Sequence, residues 1–406
     1  MGYSKDAYRG VAWIGGYRGI TRIFSVIRTI VLARILSPDQ FGIYAISVTV
    51  LSFLEIFTET GINTVLVQQK SKIDSYINTA WVVSLGRGLL ISALLFLTAP
   101  LIGGFFNNEG SVSLIRLIAL VPLIRGFLNP SIVKLQTELR FKQEFFIRTA
   151  IFILDSSMAV GLAILLQSPF ALVYGLLSGA LLEMILSYFF FSPVPRFEFH
   201  RKKLLYILSH GKWLTLTGMF DYLYQNSDNI LVGRMLGAGS LGLYQTAYQF
   251  ATAPVTEVSN ILSRVTFPIL VRINDNQQRL FSAYVKTLIV TILVVSPISL
   301  LFILFPEFVI KVLGDKWVGI TDSLRILGAL GLIRSVALSS YAPLLANKRQ
   351  DAVTVISMTG AISLLISLPI LIPMFGIVGA AYAAVGSSVI SLIPAAFYVR
   401  QIYTRS

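Results

Sequence analysis

Twelve stretches of about twenty mostly apolar residues punctuate this 406-residue chain, and each has the length a helix needs to cross a bilayer. They fall at 11–34, 41–62, 77–99, 113–133, 146–166, 171–192, 213–235, 240–262, 287–305, 320–343, 352–372 and 377–398. Pro38, Pro100, Pro169, Pro306 and Pro373 mark turns near their ends. Only 13% of residues are charged, about half the share in a soluble domain, and mean hydropathy is +0.77. A soluble globule of this make-up would expose too much apolar surface. The absence of cysteine excludes a disulfide scaffold. The expected fold is an all-α polytopic membrane protein. The first stretch carries arginines and lacks a compact apolar run before a small-residue cleavage site, so it predicts a span rather than a signal peptide.

Loop charge sets the orientation. Of the 33 Lys and Arg, twenty lie in the even-numbered loops and the termini, among them Lys134, Arg140, Lys142, Lys202, Lys348 and Arg349. The odd loops hold only Lys311 and Lys316. Both termini are therefore expected on the cytoplasmic side. The basic run Arg196–Lys203 reads as cytoplasmic retention and contact with anionic membrane lipids, not as a nucleic-acid site.

The chain repeats itself near a spacing of 200. Arg34-Ile35-Leu36 precedes Phe41-Gly42-Ile43-Tyr44, and Arg234-Met235-Leu236 precedes Leu241-Gly242-Leu243-Tyr244. Trp13 matches Trp213, a pair best read as interface anchors. At an offset of 209, Arg116, Arg125 and Arg140 return as Arg325, Arg334 and Arg349. The unit holds six spans, an even number, so both copies enter the membrane from the same side. That is a parallel repeat about an axis along the membrane normal. The expected organisation is an N-lobe of residues 1–192, a basic cytoplasmic linker of 193–212 and a C-lobe of 213–406. Lobes of this kind commonly enclose a central site and rock about it, which points to transport.

Eleven arginines lie within or at the edge of the spans; no lysine lies within one, though Lys134 and Lys286 each border one. An arginine at mid-bilayer costs about 2.5–3.5 kcal/mol on insertion scales, so these side chains should face a wet cavity or paired acids. On an ideal helix Arg18 and Arg22 share a face, with Arg28 about 80° around from Arg18. Glu55 and Glu59 form one acidic face, and Asp221, Gln225 and Asp228 share another polar stripe. Through the repeat, Arg28 stands where Asp228 stands. Arg116 and Arg125 are nine apart and diverge unless Pro122 kinks the helix. Arg125 and Arg334 are therefore the lumen candidates, while Arg116 and Arg325 are expected to snorkel near the outer boundary.

The candidate cavity cations are Arg18, Arg22, Arg28, Arg87, Arg125, Arg148 and Arg334. Glu55, Glu59, Asp155, Asp221 and Asp228 are candidates for ion pairing or for Na⁺ or H⁺ coupling. The positive balance, and arginine in preference to lysine, favour an anionic ligand held by phosphate or carboxylate. No cofactor, metal or catalytic group is expected. His200 and His210 sit in the linker without metal-type partners, no nucleophile–base pair stands out, and no GxxxxGK[ST] phosphate loop is present.

The segment Leu32–Tyr44, LARILSPDQFGIY, resembles the turn between the first two helices of the Wzx-like polysaccharide-transporter flippases. These belong to the multidrug/oligosaccharidyl-lipid/polysaccharide exporter superfamily. Ser227–Tyr244, SDNILVGRMLGAGSLGLY, is similar to the start of the second lobe in that family. Glu59-Thr60-Gly61-Ile62 and Arg140-Phe141-Lys142 fit as well. The resemblance implies a V-shaped pair of six-helix bundles in a prokaryotic inner membrane that flips undecaprenyl-pyrophosphate-linked oligosaccharide, such as an O-antigen, capsule or exopolysaccharide repeat unit, across it through a cationic cavity. A polysaccharide polymerase and glycosyltransferases would be its partners. Many relatives have fourteen spans against twelve here, which sets the longer lipid II flippases at a distance.

Two other classes are weighed against this one. A cation-coupled drug or small-solute exporter of the same fold would want an acidic lumen. A membrane glycosyltransferase or polymerase would need polar loops or clustered acids at an interface, and the odd loops are short. The major facilitator fold, also six plus six, usually carries Gly-Asp-Arg between its second and third spans. The corresponding loop here reads Gln69-Lys70-Ser71-Lys72-Ile73-Asp74.

Overall fold

The computed structural model describes residues 2–68, 73–273 and 276–404, with side chains from residue 16 onward except at 17, 18, 64, 65, 68, 206, 208–217, 221, 260, 264, 265, 268, 403 and 404. Helices fill it, and no strand occurs among the described residues. In chain order they are α1 Gly2–Ile35, α2 Pro38–Phe57, α3 Ile62–Gln68, α4 Ile73–Phe105, α5 Gly110–Ile118, α6 Leu120–Gly126, a 3₁₀ turn Pro130–Val133 and α7 Lys134–Thr137. Then follow α8 Phe141–Leu166, α9 Phe170–Phe190, α10 Arg201–Arg272, α11 Gln277–Leu304, α12 Pro306–Leu313, a 3₁₀ turn Asp315–Ile320, α13 Thr321–Ala346 and α14 Gln350–Thr404.

Among the described residues, seven helical stretches are long and apolar enough to cross a membrane, or eight if the bent pair Gly110–Gly126 and Pro130–Thr137 counts as one span. The chain is thus a multi-pass membrane protein. The expected span at 11–34 falls on α1, and those at 213–235 and 240–262 fall on α10. These segments are helical but not apolar enough to count by themselves. Arginines dilute α1, the Asp, Asn and Gln stripe dilutes 213–235, and Gln245, Gln249, Glu257 and Asn260 dilute 240–262. Helix α10 would run about 110 Å if it were straight, far beyond a hydrocarbon core of about 30 Å. It breaks at Gly237 (φ 84°, ψ 177°), and α14 breaks at Gly376 (φ 60°, ψ −137°). Both are conformations that side chains with a Cβ avoid.

Two compact units make up the chain, Met1–Tyr222 and Leu223–Ser406. The division falls inside α10, ten residues into the span expected at 213–235. In the first unit α1 packs on α8, α8 on α9, α4 on α5 and α6, and α6 on α9. Leu32, Leu36, Ala163, Ala171 and Leu172 form the core where α1, α8 and α9 meet. In the second unit α13 packs on both α11 and α14, around Tyr284, Leu344, Ala352, Ile356 and Ala395.

The duplication recurs in the backbone. Leu139 and Lys348, 209 apart, both take positive φ (55° and 58°), as do Gln167 and Gly376 (45° and 60°) at the same spacing. Ser37 caps α2 with a reciprocal hydrogen-bond pair to Gln40, a geometry that starts a helix sharply. Two hundred residues on stands the break at Gly237. The halves differ at the fourth expected span. In the second half α13 is continuous, whereas in the first the chain stops at Gly126 and turns by 75°. Pro130 disfavours helix at Asn129, and Asn129 instead donates its side-chain amide to Phe191 O at 3.1 Å and Pro193 O at 3.3 Å.

Candidate functional site

A hollow of about 530 Å³ opens in the first unit, walled by the end of α2, by α3, α4, α6, the 3₁₀ turn, α8 and α9. Its charged lining is Glu55 and Glu59 from α2, Arg87 from α4, Arg125 from α6, Arg148 from α8 and Glu183 from α9. A smaller hollow of about 200 Å³ shares Arg125, Arg148 and Glu183 and adds Asp155. Close helix packing positions this wall. A Cβ on Gly88 would lie 2.4 Å from Pro122 O and 3.0 Å from Gly126 Cα, so the Gly88–Gly126 crossing brings α4 and α6 nearly into backbone contact. Arg87 and Arg125, each next to one of these glycines, then enter the same hollow.

The arginines are paired. Arg125 Nη1 lies 3.0 Å from Glu55 Oε1. Arg87 donates to Glu59 Oε2 and to Thr58 Oγ1, both at 3.2 Å, and to the backbone carbonyl of Glu55. Arg148 Nε meets Glu144 Oε1 at 2.8 Å, one turn back on α8. Arg28 forks Asp155 at 2.7 and 3.2 Å. Gly175 and Gly179 of α9 leave the room for it, since a Cβ at Gly175 would sit 2.8 Å from Asp155 Oδ1. The cavity wall therefore balances three arginines against three glutamates, where the sequence predicts a positive excess. The excess counts every span together, but folding places the acids beside these particular arginines.

Exposure separates these pairs. Arg28 and Asp155 are only 17% and 18% exposed, while Arg125 and Glu55 are 41% and 29% exposed. A solvated pair contributes roughly 0–1 kcal/mol and is readily exchanged for a ligand. A sequestered pair resists opening, because either ion left alone is costly. Arg28–Asp155 is accordingly the pair more costly to open, and Arg125–Glu55 the less costly.

The other candidates distribute differently. Arg22 is half-buried on α1 and, among the described residues, is not part of either wall. Arg18 and Asp221 lie outside the described side chains. In the second unit Arg334 hydrogen-bonds the hydroxyl of Tyr248 and stacks over the rings of Tyr224 and Tyr248 at 5.8 and 5.4 Å. Asp228, 1% exposed, accepts from Tyr244 OH at 2.9 Å and from the Asn229 amide at 2.8 Å. These residues form a tyrosine-lined ionic core.

One cavity residue has no place among the sequence candidates: Glu183. It lines both hollows, and no hydrogen bond or ion pair engages it among the described residues. A lone acid in an otherwise apolar helix was its only signal in the sequence.

A repeated half, membrane-length helices and a polar hollow within the first unit together describe a multi-pass helical membrane fold built on a duplication. Solved structures agree at the level of fold. The lipid II flippase MurJ in its inward closed conformation superposes with a TM-score of 0.78 at 16% identity, over 95% of this chain and 87% of that one. An inward-facing multidrug resistance MATE family transporter of the MOP superfamily gives 0.70 at 14% identity, over 95% and 96%.

The profile of the polysaccharide biosynthesis protein family matches residues 31–322, and the chain belongs to that family. It is 27% identical over 354 residues to the lipopolysaccharide biosynthesis protein WzxC of Escherichia coli (strain K12), spanning 86% of this chain and 72% of that one. It is 26% identical over 362 residues to the teichuronic acid biosynthesis protein TuaB of Bacillus subtilis (strain 168), spanning 86% and 73%. By family this is a Wzx-like membrane protein of polysaccharide biosynthesis.

Proposed function

We propose that the protein flips a lipid-diphosphate-linked oligosaccharide across a bacterial inner membrane by alternating access. In this reading twelve helices cross the membrane as two parallel six-helix lobes, with both termini cytoplasmic. The observation that carries it is the placement of Arg87, Arg125 and Arg148 in one open hollow. Guanidinium forks suit a diphosphate, and the lipid tail stays in the bilayer while the head takes the polar route. Arg125 gives up Glu55 to receive the phosphate, which a solvated pair does at small cost. Glu55 and Glu59 then bind Na⁺ or H⁺ while the arginines are occupied. Arg18 and Arg22 of α1, with Asp221, Asp228 and Arg334, belong to other stages of the cycle or to the scaffold.

The test uses proteoliposomes loaded with a fluorescent polyprenyl-diphosphate sugar, with head-group exposure read by an external quencher. Arg125→Glu should reduce translocation at least tenfold, roughly the weight of one charge-assisted hydrogen bond, while protein incorporation stays constant. Unchanged rates in both Arg125→Glu and Arg87→Glu would refute the assignment.

The charge balance favours one second reading. Three carboxylates line the same hollow, and Glu183 has no ion-pair partner among the described residues, so an amphipathic cation could be the cargo of an exporter of this fold. Transport of such a cation, abolished by Glu183→Gln and untouched by Arg125→Gln, would select that reading.

A further inference from the structure

The duplication contains its own control experiment at one arginine. Arg325, in the second unit, lies 2.6 Å from Glu307 and 3.8 Å from Asp322. Its repeat mate Arg116 has neither acid. The position matching Asp322 at the offset of 209 is Ser113. Among the described residues Arg116 makes no ion pair and no hydrogen bond; its one contact of this kind is with the ring of Phe96, 5.3 Å away. An exposed arginine that only snorkels needs no particular surroundings, yet Arg116 borders a groove of about 650 Å³ between α4, α5, α6 and α9. Leu89, Phe96, Leu97, Leu120, Leu123 and Phe170 make its wall apolar, and Ser113 and Tyr174 add hydroxyls. Arg125, nine residues on, lines the polar hollow instead, so this groove is separate from the proposed transport site.

A charge without a counter-ion beside a chain-sized apolar trough matches one chemistry, a phosphate ester attached to hydrocarbon. We propose that this groove is a binding site for an anionic phospholipid, with Arg116 on the phosphate and an acyl chain along the groove. In the first unit the lipid phosphate replaces the carboxylates that Glu307 and Asp322 supply in the second. The assignment needs only that the helices lie in a membrane, and it stands whichever cargo the polar hollow carries.

The experiment is native mass spectrometry of the full-length protein released from phosphatidylcholine nanodiscs doped with phosphatidylglycerol. Wild type should retain phosphatidylglycerol over phosphatidylcholine by roughly tenfold, and Arg116→Gln should abolish that preference. Arg116→Lys should keep part of it, and Leu120→Trp, which fills the groove, should retain neither lipid. Arg325→Gln, at the acid-paired site, should behave as wild type. The proposal is overturned by an undiminished preference in Arg116→Gln, by an equal loss in Arg325→Gln, or by displacement of phosphatidylglycerol by an equimolar polyprenyl monophosphate.

Discussion

Arg28 and Asp155 show how one embedded pair can be indispensable without being favourable. Their side chains are 17% and 18% exposed, so removing one partner strands the other away from bulk water. Asp155→Asn should destabilise the protein by about 3 kcal/mol, read as a fall in melting temperature in detergent. The repeat predicts the remedy. Position 228 carries aspartate where 28 carries arginine, and position 364, at the 209 offset from Asp155, is a fully buried leucine. The double variant Arg28→Leu, Asp155→Leu should therefore recover most of that stability, because an apolar pair of similar size often matches a buried ion pair. A double variant no better than the single one would contradict this. Glu183→Gln, which breaks no ion pair among the described residues, should leave melting within about 0.5 kcal/mol of wild type.

At the scale of elements, glycines decide how closely helices approach. Gly88→Ala places a methyl 2.4 Å from Pro122 O, and overpacking of this kind costs about 1–3 kcal/mol. Gly86→Ala, two residues earlier, meets nothing within 4 Å, and should gain up to about 1 kcal/mol from helix propensity. Thermal melts of the two variants should move in opposite directions. Between α13 and α14, Arg349 forks Asp351 at 2.9–3.1 Å, and its hydrogen bonds hold that carboxyl below the ordinary carboxylate range. A lowered folded-state pKa means the ion pair is intact above the unfolded carboxylate's pKa. It breaks only as pH falls through the folded value. The turn should thus keep its amide protection from neutral pH down to mild acid in hydrogen exchange.

At the scale of the whole molecule, the proposed reaction couples to voltage. A head group of charge −2 leaving an inside-negative cell gains about 4.6 kcal/mol per 100 mV. Translocation in the proteoliposome assay should accelerate when a potential of that sign is imposed, and a rate indifferent to potential would argue for an electroneutral exchange. The sequence was legible where physics is local. Span length and apolarity announce a polytopic helical protein, and the recurrence of Arg116, Arg125 and Arg140 at 209 announces a duplication that the backbone repeats at Leu139 and Lys348. The choice of arginine over lysine inside the spans could also be read without coordinates. Which acid each arginine meets could not. Glu55 and Arg125 are 70 residues apart, and Arg28 and Asp155 are 127 apart, so neither pair follows from helical periodicity. Helix packing, through close approaches such as Gly88 on Gly126, turned a surplus of positive charge into a balanced wall. It also set Glu183 and Arg116 apart from any counter-ion among the described residues, because an ion pair is settled by distance in space and a sequence records only distance along the chain.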